Sequence, residues 1–239
     1  MELNSYIDHT NLKNTATKED IQKLCEEAIE FHFASVCVAP YYVELAKELL
    51  SGSNVQVCTV VGFPLGTSTT QVKSYEAIDA VENGADEIDM VINIAALKNK
   101  DYDYVKEEIE EVRDSIDGKV LKVIIETCLL TDEEIIKMTE ICNETYVNFI
   151  KTSTGTLEGA KVEDVELINK YRNNILEIKA SGGIRDYDIA NEMIEVGATR
   201  IGTSHGVKIM TGECNCNHEH CHCEEGHCNC DGHDCCEEE

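Results

Sequence analysis

The sequence predicts an α/β chain closed into a (β/α)8 barrel and followed by a short Cys/His-rich tail with no core of its own. Three observations predict it. Strand-like and helix-like segments alternate from the first residues to about residue 212. The strand-like segments number eight, which favours a closed barrel over an open doubly wound sheet. Within strands, one parity is apolar and the other mixed, as expected where one face packs on outer helices and the other points into a barrel. An open sheet covered on both sides would more often show two apolar faces.

The strands are read in order. A weak first run is Ser5–Thr10, followed by apolar, β-branched runs at Ser35–Ala39, Val55–Val61, Glu87–Asn93, Leu121–Thr127, Val147–Thr152, Ile175–Ala180 and Arg200–Thr203. Between them lie amphipathic stretches. Thr17–Phe33 carries Ile21, Leu24, Cys25, Ala28 and Ile29 at helical spacing, with Thr17 and Asp20 as a capping-box variant. Tyr41–Leu50, Thr69–Glu82, Tyr102–Ile116, Asp132–Glu144, Val162–Tyr171 and Tyr187–Val196 follow the same pattern. Turn signals stand where the pattern breaks, at Ser51-Gly52-Ser53, Asn83-Gly84, Asp117-Gly118, Asn173-Asn174 and Gly197.

The chain of 239 residues carries 47 acidic and 20 basic side chains and 13 cysteines. These totals divide near residue 212. Residues 213–239 hold eight cysteines, five histidines and nine acidic residues, but no Lys, Arg, Val, Ile, Leu, Met, Phe, Tyr or Ala. Such a segment cannot bury an apolar core and is expected to be disordered. Two domains are therefore expected, a barrel over 1–212 and a tail over 213–239. The barrel keeps 38 acidic against 20 basic residues. This charge argues against nonspecific binding to nucleic acid or to anionic membranes. No apolar run reaches membrane-spanning length, and the first residues lack a signal-peptide pattern. A cytoplasmic location is the expectation, with the five barrel cysteines as free thiols.

Three charges interrupt strands. Asp89, Lys151 and Lys179 all fall on the mixed parity, and both lysines lie near the C-terminal ends of consecutive strands, where barrel active sites are built. Strands run ~4.8 Å apart, so the two lysines could be neighbours. Two readings stand. One is an ion pair filling the barrel, joining Lys151 or Lys179 to Asp89 or Glu126. The other is a nucleophilic amine: a poorly solvated lysine beside a second cation is disfavoured as an ammonium, and the neutral amine can form a Schiff base, with Asp89 moving protons.

Glycine loops follow strands seven and eight, at Ser181-Gly182-Gly183-Ile184-Arg185 and Gly202-Thr203-Ser204-His205-Gly206. Loops in this place commonly bind phosphate through backbone amides. Arg185 either assists there or caps a solvated loop.

Eight segments together resemble one family, in order along the chain. They are Asp8–Lys13, Val36–Pro40, Val60–Gly66, Glu87–Asn93, Leu121–Thr127, Lys151–Gly155, Lys179–Arg185 and Arg200–Ser204, and they look like deoxyribose-phosphate aldolase. The resemblance implies a metal-independent class I aldolase on a TIM barrel, without a cofactor for catalysis. It would reversibly cleave 2-deoxy-D-ribose 5-phosphate to D-glyceraldehyde 3-phosphate and acetaldehyde in deoxynucleoside catabolism. By motif position, Lys151 is the Schiff-base lysine, Lys179 the cation that favours its neutral form, and Asp89 the proton donor and acceptor. Gly155, Gly182, Gly183, Gly202 and Ser204 match phosphate-binding positions. Cys37 and Thr154 match the pocket lining, and Lys122 and Asp8 the polar network around it. Four departures stand out: Asn11 replaces a usual leucine, Cys128 a usual glycine, His205 a usually small residue, and the loop after Gly155 is one residue short. A homodimer is the expected assembly, with a sugar phosphate and an aldehyde as partners.

The tail repeats every seven residues, opening with Cys214-x-Cys216, Cys221-x-Cys223 and Cys228-x-Cys230, with His220, His227, Cys235 and Cys236 alongside. No apolar seam makes it a coiled coil. This density of thiol and imidazole suits Zn, Cu or Ni, in roughly three four-ligand sites. Those ten residues are the expected ligands. A metal-buffering or metal-sensing protein on a barrel carrier is the alternative function, and a Schiff-base aldolase for another phosphorylated sugar is a third.

Overall fold

A computed structural model describes residues 3–212 and, beyond them, only the backbone of two short strands, Cys223–Glu224 and His227–Cys228, which pair antiparallel. The expected metal ligands Cys214, Cys216, His220, Cys221, Cys230, Cys235 and Cys236 lie outside the described residues, as do the side chains of Cys223, His227 and Cys228.

Eight parallel strands close into a barrel in chain order: β1 (Ile7–Asn11), β2 (Ser35–Val38), β3 (Gln56–Val61), β4 (Glu87–Val91), β5 (Val120–Ile124), β6 (Phe149–Lys151), β7 (Glu177–Ser181) and β8 (Arg200–Thr203). β1 pairs with both β2 and β8, so no edge is left open. The outer layer is α1 (Lys18–Glu30), α2 (Val43–Leu49), α3 (Thr70–Glu82), α4 (Ile94–Lys98), α5 (Tyr102–Ser115), α6 (Asp132–Glu144), α7 (Val162–Tyr171), α8 (Tyr187–Glu195) and α9 (Gly206–Thr211). The capping box at Thr17 and Asp20 is present, with the Asp20 amide donating to the threonine hydroxyl and the Thr17 amide to the carboxylate.

The strand parity separates two interiors. Ile88, Met90, Leu176, Ile178 and Ala180 join the large apolar layer between sheet and helices. Each fully buried Ile or Leu there contributes roughly 1.5–3 kcal/mol. Inside the barrel the apolar cluster is small, Cys37, Cys58 and Val60. The rest of that space is given to charged groups.

Strands stop earlier than their apolar runs suggest. β4 ends at Val91 because Asn93 leaves the sheet to cap α4, accepting from the Ala96 amide at 3.1 Å. Val91 gives its carbonyl to Lys73 at 2.8 Å. β5 ends at Ile124, and Thr127–Leu129 forms a 3-10 turn. Helices α4 and α9 go unpredicted because five or six residues are too few for periodicity to register.

A buried ion pair braces the end of β4. Lys73 on α3 meets Glu108 on α5 at 2.7 Å, both side chains fully buried, and Glu108 also accepts the Asn93 amide at 3.0 Å. Burial pushes the Lys73 ammonium down and the Glu108 carboxyl up, and their attraction only partly offsets this. The pair therefore fixes where the loop after β4 runs rather than adding much stability.

Candidate active site

Asp89 is the hub of the barrel interior. Its Oδ2 accepts from Lys151 Nζ at 2.8 Å and from Lys179 Nζ at 2.7 Å. Its Oδ1 accepts from Lys122 Nζ at 2.8 Å and from the Cys58 thiol at 3.1 Å. The register explains the convergence. Lys151 pairs directly with Lys179 across β6 and β7, and Asp89 with Lys122 across β4 and β5. Long lysine stems on β5, β6 and β7 then reach a short aspartate on β4.

The network continues toward both ends. Lys179 also donates to Asp8 Oδ2. Lys122 pairs with Glu87 at 2.6 Å, and Glu87 with Arg200 at 3.0 Å near the N-terminal end of the barrel. Of the sequence-derived ion pairs, those with Asp89 are present. Glu126 instead accepts the Thr154 amide at 3.2 Å, anchoring the start of the loop after β6.

Electrostatics favour charge here despite burial. Burial raises the Asp89 carboxyl, but Lys122, Lys151 and Lys179 together outweigh it and hold the group well below the usual carboxylate range. For Lys179 burial works downward, and Asp8 and Asp89 outweigh it, so its ammonium is held above the ordinary lysine range. Lys179 is thus a permanent cation beside Lys151. Burial, reinforced by Cys37 and Asp89, keeps Cys58 a neutral thiol. Asp8, Cys37, Cys58 and Asp89 bring donor atoms within 4.8 Å of one another. A metal ion there would have to displace ammonium groups from both carboxylates.

The glycine loops gather at the C-terminal mouth. Gly155, Gly182 and Gly183 all have positive φ. The loops after β6 and β7 touch backbone to backbone: a Cβ on Gly182 would lie 2.9 Å from Gly159 Cα and 3.3 Å from Gly155 Cα. Gly202 lies within β8, between Asp8 and Ser181 in register, and a Cβ there would fall 2.3 Å from Ser181 Oγ and 2.9 Å from Lys179 Cε. It leaves the space through which the Lys179 stem passes. Thr154 is nearly buried, and its hydroxyl lies 2.8 Å from that of Thr156. Ser204 is exposed and lies 3.1 Å from His205 Nδ1. Burial, then the charges of Arg185 and Lys208, hold His205 below its usual pKa. Cys128 sits half-buried in the turn after β5, and Asn11 at the end of β1 accepts the Lys13 amide.

The DeoC/LacD aldolase family model matches residues 3–211. The chain belongs to this family. It is an aldolase, a carbon-carbon lyase. A deoxyribose-phosphate aldolase of Clostridium tetani is 56% identical to it over 212 residues, 88% of this chain and 98% of the relative. One of Finegoldia magna is 58% identical over 213 residues, 89% of this chain and 100% of the relative. The solved deoxyribose phosphate aldolase of Aeropyrum pernix, a tetramer, superposes with a TM-score of 0.82 at 32% identity, covering 87% of this chain and 89% of that one. The closed barrel expected from the strand count is thus the fold of this aldolase and of its solved relative. No helix among its described residues is long and apolar enough to cross a membrane.

Sequence reasoning missed several residues of the aldolase interior. Cys58 reads as a small strand hydrophobe, and only its register with Cys37 and Glu87 places it inside. Ser181 reads as the start of a glycine turn. Thr127 and Ser181 are buried with hydroxyls that have no partner among the described side chains.

Proposed function

We propose that the chain cleaves 2-deoxy-D-ribose 5-phosphate reversibly to D-glyceraldehyde 3-phosphate and acetaldehyde through a Schiff base on Lys151. The observation that carries this is the meeting of Lys151 and Lys179 on one oxygen of Asp89 inside a barrel mouth. The neutral Lys151 amine adds to the substrate aldehyde, and the carbinolamine loses water to give an iminium. The C3 hydroxyl gives up its proton to the Asp89 carboxylate, the C2–C3 bond breaks, and its electrons flow to the iminium as an enamine. Glyceraldehyde 3-phosphate leaves. Protonation of the enamine carbon and hydrolysis then release acetaldehyde.

Asp89 begins this cycle ionised. It becomes a usable proton carrier only when an ammonium partner withdraws. Conversion of the Lys151 nitrogen, which donates to Asp89 in the free chain, to an iminium with a single N–H does this, while Lys122 and Lys179 keep the carboxylate in place. The amides of Gly155, Gly182 and Gly183, with Ser204, Arg185 and His205, are the phosphate cradle of this reading. In a chain of net charge -27 they supply a local attraction for an anionic substrate. The test is borohydride trapping with acetaldehyde, expected to leave a reduced two-carbon adduct on Lys151. An adduct on another lysine would overturn the assignment.

The tail is proposed as an accessory site for Zn, Cu or Ni, supported by its seven-residue repeat of thiols and imidazoles. Truncation after Thr211 is expected to leave aldol cleavage intact and insensitive to chelators, and to remove Zn(II) binding seen by native mass spectrometry on the full chain. Loss of activity on chelation would contradict the metal-independent mechanism.

The homodimer is proposed on a different observation. Val72, Tyr75 and Ile78, one turn apart on α3, are 47%, 72% and 40% exposed, an apolar stripe that self-association would cover. Sedimentation velocity is expected to show a dimer that Tyr75→Glu dissociates. A monomer before substitution would refute it.

A further inference from the structure

The Asp89 carboxylate has its acceptor positions filled, and one of the donors that fill them carries no charge. An ionised carboxyl offers about two acceptor positions on each oxygen. Oδ2 receives Lys151 and Lys179, and Oδ1 receives Lys122 and the thiol of Cys58. Cys58 lies on β3, is fully buried, and brings its Sγ to 3.1 Å from Oδ1.

A second contact aims the thiol. Lys122 Nζ lies 3.2 Å from the sulfur and 2.8 Å from Oδ1, so the ammonium, the sulfur and the oxygen form a closed triangle. A sulfur that accepts from an ammonium turns a lone pair toward it, which leaves the S–H for the oxygen. The Thr59 carbonyl, at 3.7 Å, is longer and uncharged. Cys37, opposite in register, offers only a weakly accepting sulfur. Burial, then Cys37 and Asp89, keep the thiol protonated, so the donor stays in place.

This saturation decides where a proton can be held. When the Lys151 nitrogen becomes an iminium, one position opens on Oδ2, next to the nitrogen that carries the substrate. Lys179, Lys122 and Cys58 hold the others. Without the thiol a second position opens on Oδ1, the oxygen turned toward Lys122. A proton taken there is on the wrong oxygen for the substrate, and the carboxylate loses a contact that keeps it from turning.

We propose that Cys58 is a positioning residue whose thiol closes Oδ1 and so confines the proton that Asp89 exchanges with the substrate to Oδ2, beside Lys151. This rests on the Schiff-base reading above and assigns the proton-carrying oxygen within it. Cys58 acts only through Asp89. The step it governs is visible with acetaldehyde alone. A methyl C–H bond of the iminium breaks and its proton passes to Oδ2. Its electron pair forms the enamine double bond, while the C=N pair returns to nitrogen. The reverse step returns a proton, or in heavy water a deuteron, to that carbon.

The test measures exchange of the acetaldehyde methyl protons in heavy water by proton NMR, alongside the yield of borohydride-trapped adduct on Lys151. Cys58→Ala removes the donor. Cys58→Val removes it while filling the space, and serves if the alanine cavity costs the fold. Cys58→Ser keeps a donor. In the first two, exchange is expected to fall about tenfold with trapping unchanged, part of the roughly 10²–10⁴-fold that a positioned acid–base group supplies. Serine is expected to restore most of the loss. Exchange that falls only in step with trapping overturns the proposal, since it marks damage to Lys151 or to the fold. A serine variant that matches alanine and valine also overturns it, since that marks a packing role. If the unaltered chain gives no adduct on Lys151, the Schiff-base reading fails and the role of Cys58 with it. If it gives the adduct and the ratio of exchange to trapping does not move in the variants, only the role of Cys58 falls.

Discussion

Replacing Lys151 with leucine is expected to remove aldol cleavage by on the order of 10^4-fold or more, the scale of loss when a covalent nucleophile is deleted. The same variant should leave no two-carbon adduct after acetaldehyde and borohydride, read by peptide mass spectrometry. The argument is geometric. Lys151 is 3% exposed at the end of β6, and Lys179, although adjacent, is committed to Asp8 as well as Asp89. Lys122 is deeper, held between Asp89, Glu87 and the Cys58 sulfur. Neither is free to take over the amine's task. The fold should survive, because Asp89 keeps two ammonium partners. Adduct formation at unchanged stoichiometry in Lys151→Leu would remove the lysine from its assigned role.

Asp89→Asn is expected to damage both stability and turnover. The amide matches the carboxylate in shape but not in charge. Three buried ammonium groups then lose their shared anion, and Lys151 loses its carboxylate partner altogether. Breaking one side of a buried ion network costs about 3–5 kcal/mol. Turnover should fall roughly 10²–10⁴-fold, the usual contribution of a positioned proton-transfer group. The stability loss carries a pH signature. The Asp89 carboxyl is depressed in the folded state, so its contribution is complete above the unfolded value near 3.9 and is lost as pH falls through the folded value. Urea midpoints of the two proteins should therefore differ most near neutrality and converge only below about pH 4. A gap that stays constant down to pH 3 would show that the Asp89 charge is not what stabilises the native barrel.

Much of this site is legible in one dimension because charge inside an alternating strand is expensive. Lys151, Lys179 and Asp89 break runs that are otherwise apolar or β-branched, and such charges persist only where partners hold them. Strand parity then points all three into a closed barrel. Lys73 and Glu108 show where that reasoning stops. On an amphipathic helix a lysine or glutamate reads as a solvent-facing residue, and only the packing of α3 on α5 reveals that these two are enclosed. Cys58 and Ser181 are similar. Neither is unusual for its position, and each acquires meaning from a register partner more than 20 residues away in the chain.

The sequence by itself determined the number and order of the strands, the parity of β4 and β7, the compositional boundary near residue 212, and that Asp89, Lys151 and Lys179 face inward. These follow from local rules: the two-residue period of a strand, the 3.6-residue period of a helix and the cost of burying charge. The tertiary structure alone decided that one oxygen of Asp89 receives both lysines and that Gly202 leaves room for a lysine stem. Those facts depend on the stagger between neighbouring strands. Stagger is set by closing all eight strands at once, and no segment carries that information alone.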